Sequence, residues 1–165
     1  MLTNLRAGMM TLCLLTAGCA GARQGATAAT DFDHVAGDAL LAMQHRAADF
    51  TATGAAMVAY VPGDATTGWS SRMLVVGSFI KGESNVLAIV YTKAAEMADT
   101  LKDSGSGVRP TKKGENGWKG GVIRKVPGGY VLAAFSGSKS EDDVAISQAG
   151  VEVLSRSFDA QPAGK

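Results

Sequence analysis

Apolar residues recur at spacings of three and four along two long segments, a pattern typical of helices that pack one face against a core. The first segment runs from Phe32 to Phe50. The second begins at Ser84-Asn85, a pair that can cap a helix, and runs to about Lys102. Its predicted buried stripe consists of Leu87, Val90, Ala94, Met97 and Leu101.

Apolar runs bounded by turn residues predict four strands in two hairpins. "AAMVAYV" ends at the Pro62-Gly63 turn, and a stretch from Trp69 to Ile80 follows it. "WKGGVIRKV" and "YVLAAFSG" are joined by the turn "PGG". A last helix is predicted from about Lys139 to Phe158. The order helix, hairpin, helix, hairpin, helix predicts an α+β fold, with a mostly antiparallel sheet covered by helices.

The stretch "SGSKSEDDVAISQAG", residues 136–150, places three consecutive acids before apolar residues. Ser138 and Glu141 have the spacing of a capping box, and Ser140 is a second possible cap. Consecutive helical residues point about 100° apart, so the three acids cannot converge on one metal ion. Carboxylates are also favoured in the first turn of a helix. The acids therefore predict a helix start and not a metal site.

The N-terminus has the features of an export signal. An apolar run from Ala7 to Ala17 follows the cation Arg6, and it is too short to span a membrane as a helix. "LTAGC" resembles a bacterial lipobox, which predicts cleavage before Cys19 and lipidation of its thiol. An ordinary signal peptide with a chance cysteine is the alternative. Cys13 lies in the removed segment, so the mature chain would have no disulfide.

The composition predicts one folded domain, because the 165 residues are 46% hydrophobic and 19% charged. The predicted divisions are a signal peptide at 1–18, a lipidated cysteine and flexible tether at 19–31, one domain at 32–158 and a disordered tail at 159–165. The net charge is +1 with no basic block, so nucleic-acid binding has no signature here and is not predicted.

A long polar loop, "DSGSGVRPTKKGENG", separates the second helix from the second hairpin. Its length makes it a candidate functional or gating loop, and a solvated connection is the alternative. Its glycines are not followed by the Lys-Ser/Thr pair of a phosphate-binding loop. "GENGWKGG" precedes a strand instead of a helix, which excludes a dinucleotide fingerprint.

Three segments occur in the order of a known family. The pattern SG-x-x-x-E-x-D-x-A-I-x-x-AG fits residues 136–150 and follows the Gly120-Gly121 pair, with "AAMVAYVPGD" and "NVLAIVYTKAAEMADT" earlier in the chain. Over roughly residues 33 to 158 the chain resembles the haem-degrading-domain family. That family includes haem-binding secreted proteins, the glycolate-operon G protein and the C-terminal domain of some corrinoid adenosyltransferases. Its R-M-D-G sequence is absent here, where the chain has "GSFIKGES".

The resemblance implies a profilin-like sandwich, assembly into homo-oligomers and, in some members, binding of haem or a related tetrapyrrole. Non-covalent haem binding needs an apolar slot, cations for the propionates and an axial ligand to the iron. His45 is the preferred iron ligand and His34 the second candidate, with Arg46 as a possible propionate partner. The two histidines are about 16 Å apart on one predicted helix and cannot share a metal ion. Solvated surface histidines are the alternative.

Lys93, Ser136 and Gly137 complete the candidate cofactor-binding residues. Lys93 would bind a propionate, or would instead form an ion pair with Glu96 or Glu141. Ser136 and Gly137 would contact the ligand or would instead shape a turn.

The sequence thus predicts an extracytoplasmic lipoprotein that binds haem or a related tetrapyrrole, to hold, sequester or sense it. It would be anchored to the cell envelope through Cys19 and assemble with itself. Catalysis is not predicted, because no acid/base set is visible. A self-assembling envelope lipoprotein that binds a protein partner is the alternative, and an enzyme of glycolate-like metabolism is a third, on family association alone.

Overall fold

The structure, a computed structural model, describes residues 19–78 and 84–160, with side chains from Asp31 onward. The elements are α1 (Cys19–Asp49), β1 (Gly54–Pro62), β2 (Ser70–Val76), α2 (Val86–Thr100), β3 (Gly121–Val126), β4 (Gly129–Ser136) and α3 (Ser140–Asp159). The predicted α+β fold with two hairpins is confirmed. The predicted signal peptide, Ile80 and the last five residues of the tail lie outside the described residues. The strand predicted to run to Ile80 is shorter than expected, because β2 ends at Val76 and the described Gly77 and Ser78 are not part of it.

The four strands form one antiparallel sheet in the order β2-β1-β4-β3. The first strand of one hairpin therefore pairs with the second strand of the other, from Ala55 opposite Ser136 to Pro62 opposite Gly129. α1 and α3 cover one face of this sheet and α2 covers the other. Because both faces of β1 and β4 are covered, these two strands are buried along nearly their whole length and are apolar except for Ser136 at the end of β4.

α1 is already helical at Cys19, where the described residues start, and not only from the predicted Phe32, so it includes the segment predicted as a flexible tether. The residues before Phe32 contain no proline and several alanines, which have the highest helix propensity, and nothing in the sequence stops the helix there. The predicted apolar face of the domain part is confirmed, since Phe32, Ala39 and Met43 are fully buried. No described helix is both long enough and apolar enough to cross a membrane.

α2 begins as predicted, with the Asn85 side chain accepting a hydrogen bond from the Ala88 N–H at 3.1 Å. Its buried face differs from the predicted stripe. Leu87 and Leu101 are only partly buried, whereas the charged residues Lys93 and Glu96 are buried. Helical periodicity shows which side chains share a face, but it does not show which partners a charged side chain finds in the folded chain.

Gly150 of α3 lies close against the side chain of Met43 on α1. A Cβ atom at this position would lie 2.6 Å from the Met43 Sδ atom and 3.2 Å from the Ala133 Cβ atom. Gly37, on α1, has open space where its Cβ atom would be. The two helical glycines therefore differ in what a methyl group would meet.

We predict opposite effects from the same substitution at these two positions. Gly150→Ala forces Met43 aside, and overpacking outweighs the gain in helix propensity, for a net loss of up to about 2 kcal/mol. Gly37→Ala adds helix propensity without a clash and raises stability by about 0.5–1 kcal/mol. Urea unfolding of both variants measures this difference, and equal shifts of the midpoint would contradict it.

Candidate functional site

A buried ion pair lies where α2, β4 and α3 meet. The Lys93 Nζ atom donates to the Asp143 Oδ2 atom and to the Phe135 carbonyl oxygen, both at 2.8 Å. The Lys93 and Asp143 side chains are only 3% and 4% exposed. The ammonium of α2 thus reaches past the end of β4 to the first turn of α3. The sequence-based partners of Lys93, Glu96 and Glu141, are wrong. Glu96 accepts from the Gly105 N–H at 3.0 Å instead.

The first turn of α3 does not contain the predicted capping box. Lys139 occupies the N-cap position without a side-chain hydrogen bond, and neither Ser138 nor Ser140 caps the helix as predicted. The Ser138 N–H donates to the Asp143 Oδ1 atom at 3.0 Å, and the Ser138 hydroxyl donates to Asp142 at 3.0 Å. The helix starts one residue later than the box requires, and the Ser138 N–H bond expected for Glu141 goes to Asp143, two residues further along. The predicted placement of the three acids in the first turn is confirmed.

Two opposing effects act on the Asp143 carboxyl. Burial raises its pKa above the ordinary value, because it penalises the charged form. The Lys93 ammonium and the Ser138 N–H lower the pKa by stabilising the carboxylate, and burial is the larger effect. A buried carboxylate in this position remains ionised only while its cation is present.

Gly120 makes room for the ion pair. A Cβ atom on Gly120 would collide with the Lys93 ammonium and would lie 2.9 Å from the Asp143 Cβ atom. Its φ of +131° is also unfavourable for any other residue. The Gly120 carbonyl accepts from the Phe135 N–H at 3.0 Å and from the buried Ser147 hydroxyl at 2.7 Å. Lys93, Gly120, Phe135, Asp143 and Ser147 are therefore linked by direct contacts, and these five residues form the junction between α2, β4 and α3.

A pocket of about 300 Å³ opens beside this junction, between the N-terminal ends of α2 and α3. The lining is mixed in chemistry. Its polar members are Ser84, Lys93, Ser136, Gly137, Ser138, Ser140 and Asp143. Its apolar members are Val86, Ile89 and Trp118. Trp118 is 52% exposed, so an aromatic face is available to a ligand at the rim.

The described lining residues offer several hydrogen-bonding groups. An ammonium has three N–H donors, and Lys93 uses two of them on Asp143 and Phe135, while no described residue accepts from the third. The serine hydroxyls can accept, and those of Ser136 and Ser140 can also donate. Asp143 has its charge balanced by Lys93. The site fits a molecule that has both a hydrogen-bonding group and an apolar part.

The structure brings together some of the sequence-predicted site residues and separates others. Lys93, Ser136 and Gly137 line the same pocket. His34 and His45 are exposed on α1, which packs on the other face of the sheet from α2, and neither lines the pocket. Within residues 19–78 and 84–160, no group of three or more His, Cys, Asp or Glu side chains is placed to hold a metal ion. The side chain of Cys19, the predicted lipidation site, lies outside the described part.

Sequence reasoning missed Trp118 and the role of Asp143. A large aromatic residue in an otherwise polar loop, directly before the Gly120-Gly121 pair, was a usable signal for Trp118. Asp143 had no comparable signal, because three adjacent acids are equivalent until the helix start and the position of Lys93 are known.

The long loop after α2 is held by its own charge network. Arg109 donates to both oxygens of Glu115, at 2.7 and 2.8 Å, and to Asp99 at 2.8 Å. Lys112 also pairs with Asp99. Arg109, together with the Lys112 N–H, lowers the pKa of Glu115 to about 2. The network ties the loop to the C-terminal end of α2.

Comparison with solved structures gives a weak likeness in fold. No protein-family model matches the chain, and no curated protein matches its sequence. Among solved structures, the crystal structure of the Klebsiella pneumoniae protein ORFY, of the family DUF336, matches 92% of this chain and 98% of its own. The sequence identity is 14% and the TM-score is 0.38, so no residue role is taken from it.

We predict that Lys93→Met destabilises the protein by about 3–5 kcal/mol, because it leaves a buried carboxylate without its cation. Adding Asp143→Leu removes that charge and recovers part of the loss. Urea unfolding of the two single variants and of the double variant measures the coupling between them. Additive losses would show that the pair is not coupled.

The loop network predicts an acid-dependent loss of stability. The pKa of Glu115 is lower in the folded chain than its ordinary 4.5, so its contribution is complete above pH 4.5 and is lost as the pH falls toward 2. We expect Glu115→Gln to be less stable than the parent at pH 7 and to have a smaller decrease in melting temperature across this window. The same slope in both proteins would contradict the assignment.

Proposed function

We propose that this protein binds, without transforming it, a largely apolar ligand that carries a carboxylate, in the pocket between the N-terminal ends of α2 and α3. The observation that carries the proposal is the mixed lining of this pocket. It includes Lys93 and serine hydroxyls together with the apolar Val86 and Ile89 and the exposed Trp118. Pockets of this mixed character orient a ligand through a few polar groups and bind its remainder through apolar contact.

Haem and related tetrapyrroles are the ligand class that the sequence resemblance favours. Their propionates suit the polar lining residues, where no described residue accepts from the third N–H of Lys93 and where Ser136 and Ser140 offer hydroxyl donors. The iron finds no ligand among the described lining residues, because none of these is a His, Cys, Met or Tyr. In this proposal the ligand is therefore recognised by its carboxylates and its planar apolar surface, and not by coordination of a metal.

The cellular setting forms part of the same proposal. The lipobox-like "LTAGC" supports a lipoprotein that is exported, processed at Cys19 and held at the cell envelope, on the outer-membrane or periplasmic side. There it would hold, sequester or sense its ligand. The mutual neutralisation of Lys93 and Asp143 supports a binding protein rather than an enzyme.

A second candidate function is an envelope lipoprotein that assembles with itself and binds a protein partner. The observation that favours it is the group of exposed apolar side chains on β2, Met73 and Val75, together with the exposed Tyr91 of α2. In that case the pocket would be a structural feature of the junction, and no tetrapyrrole would bind.

Hemin and iron-free protoporphyrin IX, titrated separately into residues 19–165 carrying Cys19→Ser, test the first proposal. We expect both to give a saturable change in absorbance, because recognition does not need the iron. Trp118→Ala should weaken binding about 3–10-fold through loss of aromatic contact. Trp69→Phe is the matched control, since Trp69 does not line the pocket. The absence of any saturable change would sink the proposal.

His45→Ala and His34→Ala separate the pocket from the histidine-based site predicted from the sequence. Both histidines are exposed and outside the pocket, so the proposal expects unchanged affinity in both variants. Hemin binding that is lost in His45→Ala, unaffected by Trp118→Ala and absent for protoporphyrin IX would place the ligand on α1 and refute the pocket assignment.

A further inference from the structure

The two outer strands of the sheet differ in how their free edges are covered. On β3, the Ile123 N–H donates to the Asp103 Oδ1 atom at 2.9 Å. The Gly121 N–H donates to the Ser104 hydroxyl at 2.8 Å, and the Gly121 carbonyl accepts from the Ser104 N–H at 3.3 Å. These backbone groups already have partners, so the start of β3 cannot pair with another strand.

The outer edge of β2 has no such cover in the described part of the chain. There, no hydrogen bond from outside the β1–β2 ladder reaches its backbone. The strand "SSRMLVV" contains none of the prolines or lysines that commonly protect an edge. Its one charge, Arg72, pairs with Asp33 of α1 at 3.2 Å. An open edge of this kind is a template for another strand.

The α2 face of β2 is also open and apolar. Met73 and Val75 lie opposite Met57 and Ala55 of β1, whose side chains pack against α2. α2 contacts β1, β4 and β3 but does not reach β2, so Met73 and Val75 remain 40% and 38% exposed. On the other face, by contrast, Leu74 packs against the core beneath α1. The unpaired edge and the exposed apolar side chains thus occur together.

We propose that this edge is an interface between two copies of the chain, which join their sheets through antiparallel β2–β2 pairing about a two-fold axis at Met73. In this register Met73 faces its own copy, Ser71 faces Val75, and Arg72 faces Leu74. Like charges directly opposite each other would destabilise the pair, and this register places none in that position. The self-complementarity of β2 is what favours a second copy over an unrelated strand.

Pairing in this register also covers the exposed apolar surface. Met73 and Val75 of both copies lie on the same side and form one continuous apolar strip beside the two α2 helices. Arg72 keeps its partner Asp33 within its own chain, so no charge is left uncompensated at the edge. The inference does not depend on the pocket ligand, because no residue of β2 lines the pocket.

The mass of residues 19–165 carrying Cys19→Ser, measured in solution against concentration and without ligand, tests the interface. We expect a dimer whose affinity falls at least about tenfold in Met73→Lys, because two ammonium groups would then meet at the axis. Leu41→Lys is the matched control, since Leu41 is equally exposed but lies on α1, and it should leave the affinity unchanged. A monomer at all concentrations, or a dimer insensitive to Met73→Lys, would overturn the proposal.

Cross-linking tests the register separately. With Cys19 replaced, this chain has no thiol, so each introduced cysteine is unique. Met73→Cys alone should form a disulfide-linked dimer on mild oxidation. Ser71→Cys and Val75→Cys should cross-link efficiently only when the two proteins are mixed, and Leu41→Cys should not cross-link. Efficient cross-linking of Ser71→Cys with itself would refute the Met73-centred register.

Discussion

The buried pair of Lys93 and Asp143 ties together elements from both faces of the sheet. Lys93 belongs to α2, Asp143 belongs to α3, and the Phe135 carbonyl that Lys93 also contacts belongs to β4. Separating either helix from this point would leave a charge in a site almost without water, at a cost of several kcal/mol. Such a pair adds little net stability, since two apolar side chains of the same size could fill the same space. Its larger effect is to favour this one packing arrangement of α2 and α3 over others.

This junction determines what the pocket can be. The turn from Ser136 to Ser138 follows directly from the end of β4, and the Ser138 backbone is bonded to Asp143. The polar lining residues around Ser136 to Ser138 are therefore positioned by the same contacts that hold α3 in place. A ligand meets groups that are already oriented. Preorganised groups bind with less loss of entropy than flexible ones. Trp118, half exposed on the preceding loop, is the part of the site with room to adapt.

The order of the strands also explains why one edge is available and the other is not. The loop after α2 returns along β3, and Asp103 and Ser104 pair with its backbone as it does so. No described segment returns along β2. The apolar residues Met73 and Val75 are thus exposed because α2 lies over the inner strands, and not because β2 is polar in sequence.

Local sequence pattern determined the helices, the two hairpins and the α+β class, because periodicity and turn residues act over neighbouring positions. Asn85 as a helix cap and the apolar face of α1 followed from the same short-range rules. The choice of Asp143 as the partner of Lys93 did not, since these residues are distant in sequence and meet only after both helices pack on the sheet. The grouping of Lys93, Ser136 and Gly137 apart from His34 and His45 was likewise decided by tertiary packing. A helix's own sequence does not show which face of the sheet the helix will cover.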